Sequence, residues 1–402
     1  MIGSRVDINS YQLIGKNKKS KLEIEPEALL THYENLKKEA KREARNYFID
    51  NKQKGYSGLT VEEAIEQYLF EIKANVPFSG PKKEEVHFTF IDLFAGIGGF
   101  RLALQALGGK CVFSSEWDAS ARQTYRKNFG EIPLGDITKS EVKSNIPKRF
   151  DILCAGFPCQ PFSRAGVSAR NYLGLDHGFD HPTQGNLFFE IMDIVSKHKP
   201  DVLFLENVKN LKSHEGGNTF KTIEDNIRKE GYSFCSKVIN AETVVPQRRE
   251  RTYIVCFKDN AINFEFPKFE GEAKKLKSIL QSEVSTEFTI SDKLWQGHQR
   301  RTKNNIARGT GFTAHTANIE KPSNTIVARY GKDGKECLIP QEGKNPRKLT
   351  PRECARLQGY PENYILPVSN AAAYKQFGNS VAVPVIKKIA FNIIQALKYH
   401  KK

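Results

Sequence analysis

Cys159 stands in the run Ala155-Gly156-Phe157-Pro158-Cys159-Gln160-Pro161-Phe162-Ser163, just past the apolar stretch Asp151-Ile152-Leu153-Cys154. Proline fixes the backbone beside the sulfur and glycine permits a tight turn, which suits a nucleophile held at a strand end and facing a ligand. Cysteine also serves as a small buried hydrophobe, and one cysteine motif does not separate the two readings. Glu206, in Leu205-Glu206-Asn207-Val208, ends the run Val202-Leu203-Phe204-Leu205. A carboxylate there is partly desolvated, so its pKa can rise until it shares a proton with a base. A surface acid capping the next turn is the alternative. In Pro246-Gln247-Arg248-Arg249-Glu250-Arg251 the alternate residues Gln247, Arg249 and Arg251 face one side if the following strand begins early. Guanidinium groups so placed can hold a carbonyl oxygen or phosphates, although a solvated basic edge has the same pattern.

A second constellation lies upstream. Phe90-Ile91-Asp92-Leu93-Phe94-Ala95-Gly96-Ile97-Gly98-Gly99-Phe100 has the pattern of a strand, a glycine turn and a helix start. Glycines let a ligand approach the backbone, and a helix N-terminus offers unpaired N–H donors. The spacing is not the G-x-G-x-x-G of dinucleotide folds. Glu116 lies 20 residues after Gly96, where an acid grips ribose hydroxyls. Trp117 beside it can stack on an adenine. Asp136, in Gly135-Asp136-Ile137, is expected to end a third strand and to accept from an adenine amino group. Each acid alone reads as an ordinary surface acid; together, at the ends of consecutive strands, they describe a nucleoside pocket.

These residues need elements to position them. Residues 87–94, 110–115, 151–155, 201–206 and 252–257 read as strands alternating with helical patterns, which predicts a parallel sheet covered on both faces. Ligands bind such sheets at the carboxyl ends of the strands, where the candidate residues fall. Before the sheet, residues 25–46 have a charged helical pattern. A second helix starts at Thr60, three residues ahead of Glu63 as in a capping box, and residues 75–85 read as a linker. This N-terminal region touches DNA, pads the main domain or mediates dimerisation; the sequence favours none of these. Between residues 258 and 348 the alternation fades into Lys, Arg, Asn, Gly and Thr, and regular patterns return from Leu349 to a final helix over 381–399.

The bulk composition narrows the class of partner. The 402 residues carry a net charge of +16, which points to a polyanion, most often nucleic acid. No apolar run approaches the ~20 residues of a membrane helix, and the N-terminus is too polar for a secretory signal, so a cytoplasmic location is expected. The 7 cysteines lack the close pairing of zinc ribbons or redox motifs and are expected to be reduced. His177, His181, His214 and His315 lack ligand spacing, and no metal is assigned.

With Cys159, Glu206 and Arg251 in order, the chain resembles the cytosine-C5 DNA methyltransferases of the prokaryotic restriction-modification type. The resemblance covers roughly residues 88–260 and 347–396. It rests on Phe94-Ala95-Gly96-Ile97-Gly98-Gly99, Gly156-Phe157-Pro158-Cys159-Gln160, Glu206-Asn207-Val208 and Gln247-Arg248-Arg249-Glu250-Arg251. Leu349-Thr350-Pro351-Arg352-Glu353-Cys354-Ala355-Arg356-Leu357-Gln358-Gly359-Tyr360-Pro361 and Gln376-Phe377-Gly378-Asn379-Ser380 complete it. The resemblance implies an α/β, Rossmann-like S-adenosylmethionine-dependent methyltransferase sheet with a smaller target-recognition domain and an N-terminal helical extension. The implied division is 1–85 extension, 86–260 catalytic, 261–346 target recognition and 347–402 returning to the catalytic domain.

The same resemblance implies S-adenosylmethionine as donor and S-adenosylhomocysteine as product, with Phe94, Gly96, Gly98, Glu116, Trp117, Asp136, Ile137, Pro158, Leu187 and Asn379 around them. Cys159 would attack C6 of a cytosine flipped from the duplex, Glu206 would contact N3 and the exocyclic amine, and Arg251 would hold O2. Arg249 and Gln160 join this catalytic group, and the product is 5-methylcytosine. Ser163, Arg164, Gln247, Arg300, Arg301, Lys303, Arg308, Thr325 and Tyr330 are the expected DNA-contacting residues, with the loop from Gln160 to Gly185 closing over the base. Double-stranded DNA is the implied partner, bound by a monomer near the nucleoid, alongside a cognate restriction endonuclease that need not bind the chain. A tRNA-directed enzyme on the same core would carry a Cys-Phe-Thr signature after Glu206-Asn207-Val208; here Lys209-Asn210-Leu211 follows. A catalytically dead regulator is disfavoured by the intact Cys159, Glu206 and Arg251. A separate repressor role for the N-terminal helices stays open.

Overall fold

The structure is a computed structural model that describes residues 24–158, 187–309 and 315–400. Three helices open it: α1 (Pro26–Thr31), α2 (Lys38–Asn51) and α3 (Val61–Ala74). The single helix expected over 25–46 is two, broken by a turn at Tyr33–Asn35. The capping box that starts α3 is present: Thr60 Oγ1 accepts from the Glu63 N–H at 3.3 Å, and the Glu63 carboxylate accepts from the Thr60 N–H at 2.9 Å.

The sheet follows. β1 (Phe88–Leu93) runs through a glycine turn into α4 (Gly99–Gln105), then β2 (Gly109–Ser115), α5 (Ala119–Phe129) and α6 (Ser140–Ser144). β3 (Ile152–Gly156), α7 (Leu187–His198), β4 (Val202–Val208), α8 (Asn218–Lys229) and β5 (Cys235–Asn240) continue it, and the two-residue β6 (Gln247–Arg248) leads into β7 (Glu250–Phe257). The strand order is β2-β1-β3-β4-β7-β5, a Rossmann-like α/β sheet. Alternation sorts the side chains: Phe90, Ile152, Cys154, Val202 and Phe204 enter one buried cluster, while Ile91, Leu153, Ala155, Leu203 and Leu205 enter another. Strands buried on both faces read as unbroken apolar runs, which is why the sequence shows them.

Three expectations about the sheet need correction. β7 is antiparallel to both its neighbours, and β5 was not expected. Parallel pairing needs a long crossover, whereas residues 241–249 join β5 to β7 directly, so the pair must be antiparallel. β5 escaped notice because only Ile239 on it is fully buried. The strand expected to end at Asp136 does not form either. Residues 131–136 make one sheet-like bond, Leu134 N–H to the Ser114 carbonyl at 2.9 Å, and Pro133 has no N–H to extend the ladder.

The rest of the chain builds onto this sheet. α9 (Asp292–Ala307), β8 (Ser323–Asn324), α10 (Tyr330–Asp333) and the hairpin of β9 (Leu338–Gln341) and β10 (Lys344–Lys348) form the polar region. β8 pairs in parallel with β6. α11 (Pro351–Leu357), α12 (Asn370–Asn379) and α13 (Val383–His400) then return to the sheet, where α13 packs on α4. The stretch Asn370–Lys398 is long and apolar enough to cross a membrane by composition, but half of it is buried within the fold, as in a core helix.

The N-terminal helices are not a separate body. Leu29, Leu30, Phe48 and Ile65 are fully buried in the same cluster as Ile91, Leu93, Phe113 and Ile132 of the sheet. Leu30→Ala removes a wholly buried side chain and should cost about 2–5 kcal/mol. Chemical denaturation monitored by tryptophan fluorescence and far-UV circular dichroism should show one shifted transition; a separate early transition for the helices would contradict the shared core.

Candidate active site

The carboxyl ends of β3 and β4 lie side by side, with Gly156 opposite Glu206. Because β7 runs against β4, its first residues return to this same edge, and Arg251 falls opposite Val208. A parallel β7 would have carried Arg251 to the far side of the sheet. Arg251 Nε lies 3.2 Å from Glu206 Oε1, with both side chains largely buried. Burial pushes the Glu206 carboxyl above its ordinary value, and the pull of Arg251 and Arg249 only partly offsets it. A carboxyl poised in this way can exchange a proton with a bound base.

Asn207 fixes the neighbouring turn. Its Nδ2 donates to the Phe157 carbonyl at 2.9 Å, and its Oδ1 accepts from the Val208 N–H at 2.8 Å. One amide thus ties the end of β4 to the peptide leading into Pro158, which is exposed. Cys159, Gln160, Ser163 and Arg164 lie outside the described residues. The other six cysteines are free thiols, and burial pushes every one of them up, Cys111 and Cys337 to about 12. None of these six is suited to act as a thiolate.

The glycine turn after β1 forms the second half of the edge. Phe94, Gly96 and Gly98 have φ of 54°, 53° and 79°, the left-handed region that a phenylalanine rarely adopts. A Cβ on Gly98 would lie 2.3 Å from the Phe129 ring, whereas one on Gly96 would meet nothing closer than the Phe94 carbonyl at 4.0 Å. The space over Gly96 is therefore open to a ligand. Glu116 binds the turn from β2: its carboxylate accepts from the Gly96 N–H at 2.8 Å and from the Asp118 N–H at 2.8 Å. Burial raises this carboxyl too, against the lowering effect of those two N–H groups.

Trp117, next to Glu116, is 78% exposed, with its indole free to meet a ring. Ser115 Oγ donates to the Gly135 carbonyl at 2.8 Å, which brings the Asp136 loop to the end of β2. Ile137 beneath it is buried, Leu187 is half-buried at the start of α7, and Asn379 is exposed at the end of α12. A buried carboxylate with both oxygens oriented, an exposed indole and an unobstructed glycine turn fit the ribose, adenine and chain of an adenosyl donor.

Several expected contacts change role. Gln247, expected at DNA, is fully buried: its Oε1 accepts from the Ile326 N–H at 3.0 Å and its Nε2 donates to the Leu357 carbonyl at 3.4 Å. Arg249, grouped with the catalytic residues, is 2% exposed and gives its guanidinium to the carbonyls of Ile326, Gly378 and Ser380. Burial draws it down to about 9, still cationic at neutral pH. Tyr330, also expected at DNA, is wholly buried, with its hydroxyl between the Cys337 carbonyl and the Leu349 N–H. Thr325 donates its hydroxyl to the Arg248 carbonyl. Gln247, Arg249 and Thr325 tie the polar region to the β6–β7 edge, while Tyr330 ties Cys337 to Leu349. Gln247, Arg249 and Tyr330 are buried, which residue type alone does not tell, and Thr325 is half-buried. Arg300, Arg301, Lys303 and Arg308 do lie exposed on α9 and just beyond it. Lys303 lines an open groove with Trp295, Gln299 and Ile306.

Two more residues shape the site: Lys375, which no motif singles out, and Gln376, which opens the Gln376–Ser380 motif without an assigned role. Lys375 pairs with Asp118 at 2.5 Å, and Gln376 bonds Thr124 and Ser120 of α5 at 3.0 and 2.8 Å. Each partner lies more than 250 residues away.

The chain is similar to known proteins. The description C-5 cytosine-specific DNA methylase matches residues 88–395. Type II methyltransferase M1.ScrFI of Lactococcus lactis subsp. cremoris is 49% identical over 333 residues, 81% of this chain and 82% of that protein. Type II methyltransferase M.NlaX of Neisseria lactamica is 50% identical over 315 residues, 77% of this chain and 97% of that one. The Dnmt2 methyltransferase of S. pombe superposes with a TM-score of 0.59 over 77% of this chain and 99% of its own, at 17% identity, a likeness of fold. Most of the chain, including the sheet edge that carries Glu206, Arg251 and the glycine turn, thus belongs to the family of C-5 cytosine-specific DNA methylases, and the protein is a DNA cytosine methyltransferase.

Proposed function

We propose that the chain is the modification enzyme of a type II restriction-modification system, methylating C5 of a cytosine flipped out of duplex DNA. The observation that carries this reading is the Glu206–Arg251 pair at the edge of the sheet, next to the turn that leads into Cys159. C5 is a poor nucleophile inside an aromatic ring, and within a duplex it is out of reach. Flipping requires a few kcal/mol of unstacking. The Cys159 thiolate then adds to C6, forming a C–S bond and placing electron density on C5. Glu206 shares its proton with N3 as that charge develops, and Arg251 holds O2. Glu116 would hold the ribose of S-adenosylmethionine and Trp117, Asp136 and Ile137 its adenine, beside the open turn at Gly96, and the bound donor would supply an electrophilic methyl group. Transfer of the C5 proton to water and expulsion of the Cys159 sulfur as thiolate restore the aromatic ring as 5-methylcytosine.

Residues 261–346 are assigned to target recognition, with Arg300, Arg301, Lys303 and Arg308 toward the phosphates or base edges. The enzyme acts as a monomer on cytoplasmic DNA, and a nuclease of the same specificity need not touch it. The 49% and 50% identical relatives, both named type II methyltransferases, support the restriction-modification setting.

Three outcomes test this reading. Bisulfite sequencing of a plasmid from expressing cells should show one methylated sequence context, and duplexes carrying 5-fluorocytosine there should become covalently joined to Cys159 when donor is supplied. Mass spectrometry that finds no adduct on that residue would reject the nucleophile.

Glu206→Gln keeps the shape but cannot give up a proton, so kcat should fall by about 10²-fold or more with duplex affinity little changed. Since burial raises the wild-type carboxyl, its protonated share persists above the ordinary Glu range and declines as pH rises. Wild-type kcat should therefore fall on the alkaline side of that shifted value, and a pH profile of the Gln variant should lack this limb.

Neutralising Arg300, Arg301, Lys303 and Arg308 together should weaken duplex binding and reduce the slope of log affinity against log salt by about one for each phosphate no longer neutralised. An unchanged slope would remove α9 from the interface.

A further inference from the structure

We propose that the N-terminal helices are a brace for the donor pocket, and that Thr31 and His32 are positioning residues that hold the 131–135 segment so that Asp136 and Ile137 meet the donor. This inference rests on the donor-site reading above and adds a role for the extension.

The segment has almost no structure of its own. It lies beside β2 but makes a single sheet-like bond to it, and Pro133 breaks the ladder. Each of its five residues is instead held by a different group. Glu131 pairs with the buried Arg101 at 2.5 Å. The Ile132 N–H donates to Thr31 Oγ1 at 3.1 Å, and His32 Nε2 lies 3.0 Å from the Ile132 carbonyl. The Pro133 carbonyl accepts from Arg122 Nε at 2.9 Å, and the other end of that guanidinium pairs with Glu25 at 2.9 Å. Leu134 donates to the Ser114 carbonyl, and the Gly135 carbonyl accepts from Ser115 Oγ. Asp136 follows; its carboxylate accepts from the Thr138 N–H at 2.9 Å and its carbonyl from the Lys139 N–H at 3.1 Å, bonds that shape its own turn, while the five residues before it tie that turn to β2 and α1.

The middle of this series of bonds belongs to the extension. Thr31 and His32 end α1, and both are nearly fully buried, as is Ile132. Thr31 Oγ1 donates its proton to the Ala28 carbonyl at 2.9 Å, which leaves a lone pair for Ile132. Burial lowers the His32 pKa, so the ring is neutral and can donate from Nε2 to the carbonyl. With α1 in place but without the Thr31 hydroxyl and the His32 ring, both backbone groups of Ile132 would be buried without partners, a cost the segment can relieve by moving. The segment leads directly into Asp136-Ile137.

The test uses the full-length protein. Thr31→Val and His32→Leu each remove one bond to Ile132, the first also that to the Ala28 carbonyl, and Thr31→Ser keeps both Thr31 bonds. Steady-state kinetics at saturating duplex should show donor KM raised by about tenfold in the first two, kcat within about twofold, and donor KM restored in the Ser variant. Duplex affinity and donor affinity by calorimetry complete the set, with duplex affinity expected to stay constant. A loss of kcat or of thermal stability with donor KM unchanged would overturn the proposal, because a merely structural helix would reduce the active fraction and leave KM alone. If the variants do not fold, Arg122→Met, which releases the Pro133 carbonyl, carries the same expectation and the same overturning result. Asp136→Ala is the control: if it leaves donor affinity intact, the donor-site reading is what fails; if it weakens the donor while the α1 and Arg122 variants do not, the brace is rejected.

Discussion

β7 enters the sheet against the direction of its neighbours, and the chemistry of the edge depends on that reversal. The end of β4 delivers a carboxylate and the start of β7 delivers the guanidinium groups that face it, so Glu206 and Arg251 meet at 3.2 Å. Two buried charges are expensive to desolvate, and their attraction does not always compensate. Here the balance is visible in the direction of the shift: burial raises the Glu206 carboxyl even with two arginines nearby. Arg249, the second of those arginines, is held by three backbone carbonyls through its two terminal nitrogens, while its Nε is buried without a partner. Arg251 has only the Glu250 carbonyl and Glu206 as partners among the described residues, so its guanidinium is less fully engaged than that of Arg249.

The same reversal explains how the polar region is attached. β6 sits just before β7, at the edge, and offers its backbone to β8. Gln247 and Arg249, alternate residues facing inward, then bond to Ile326, Leu357, Gly378 and Ser380. One short run thus joins sheet, polar region and C-terminal helices, and only its last arginine is left for the site. Gly378 has no space for a side chain there, since a Cβ would lie 2.3 Å from the Val327 backbone.

Much of this was legible in the sequence, and the reason is burial. β1, β3 and β4 are covered on both faces, so their apolar runs stand out, and the acids and glycines at their ends are conspicuous by contrast. β5 was invisible because it is half-buried and polar, and the direction of β7 was missed because it depends on β5. The alternation of Gln247, Arg249 and Arg251 was read correctly, but the side on which they lie is set by Ile326 and Gly378, which are far away in sequence. Tyr330 failed in the same way, since a phenol in a basic, polar stretch gives no sign that its hydroxyl will be held by Cys337 and Leu349.

The glycine turn shows why the flanking regions matter to the edge. Phe94 in the left-handed region carries strain of about 1–3 kcal/mol, which persists only where the surroundings fix it. The fixing groups come from three sides. Glu116 holds the Gly96 N–H from β2. From the C-terminal side Tyr364 donates its hydroxyl to the Ile97 carbonyl, and Val381 sits where a Cβ on Gly99 would be, 2.6 Å away. Lys375 holds Asp118, whose N–H in turn orients Glu116. From the N-terminal side Phe78 stacks on Tyr364 with ring centres 6.0 Å apart, and its N–H donates to the Asn128 carbonyl of α5 at 3.0 Å. The turn therefore keeps its strained shape because segments from both ends of the chain close on it, and a ligand settling there would meet a surface already formed rather than one it must organise.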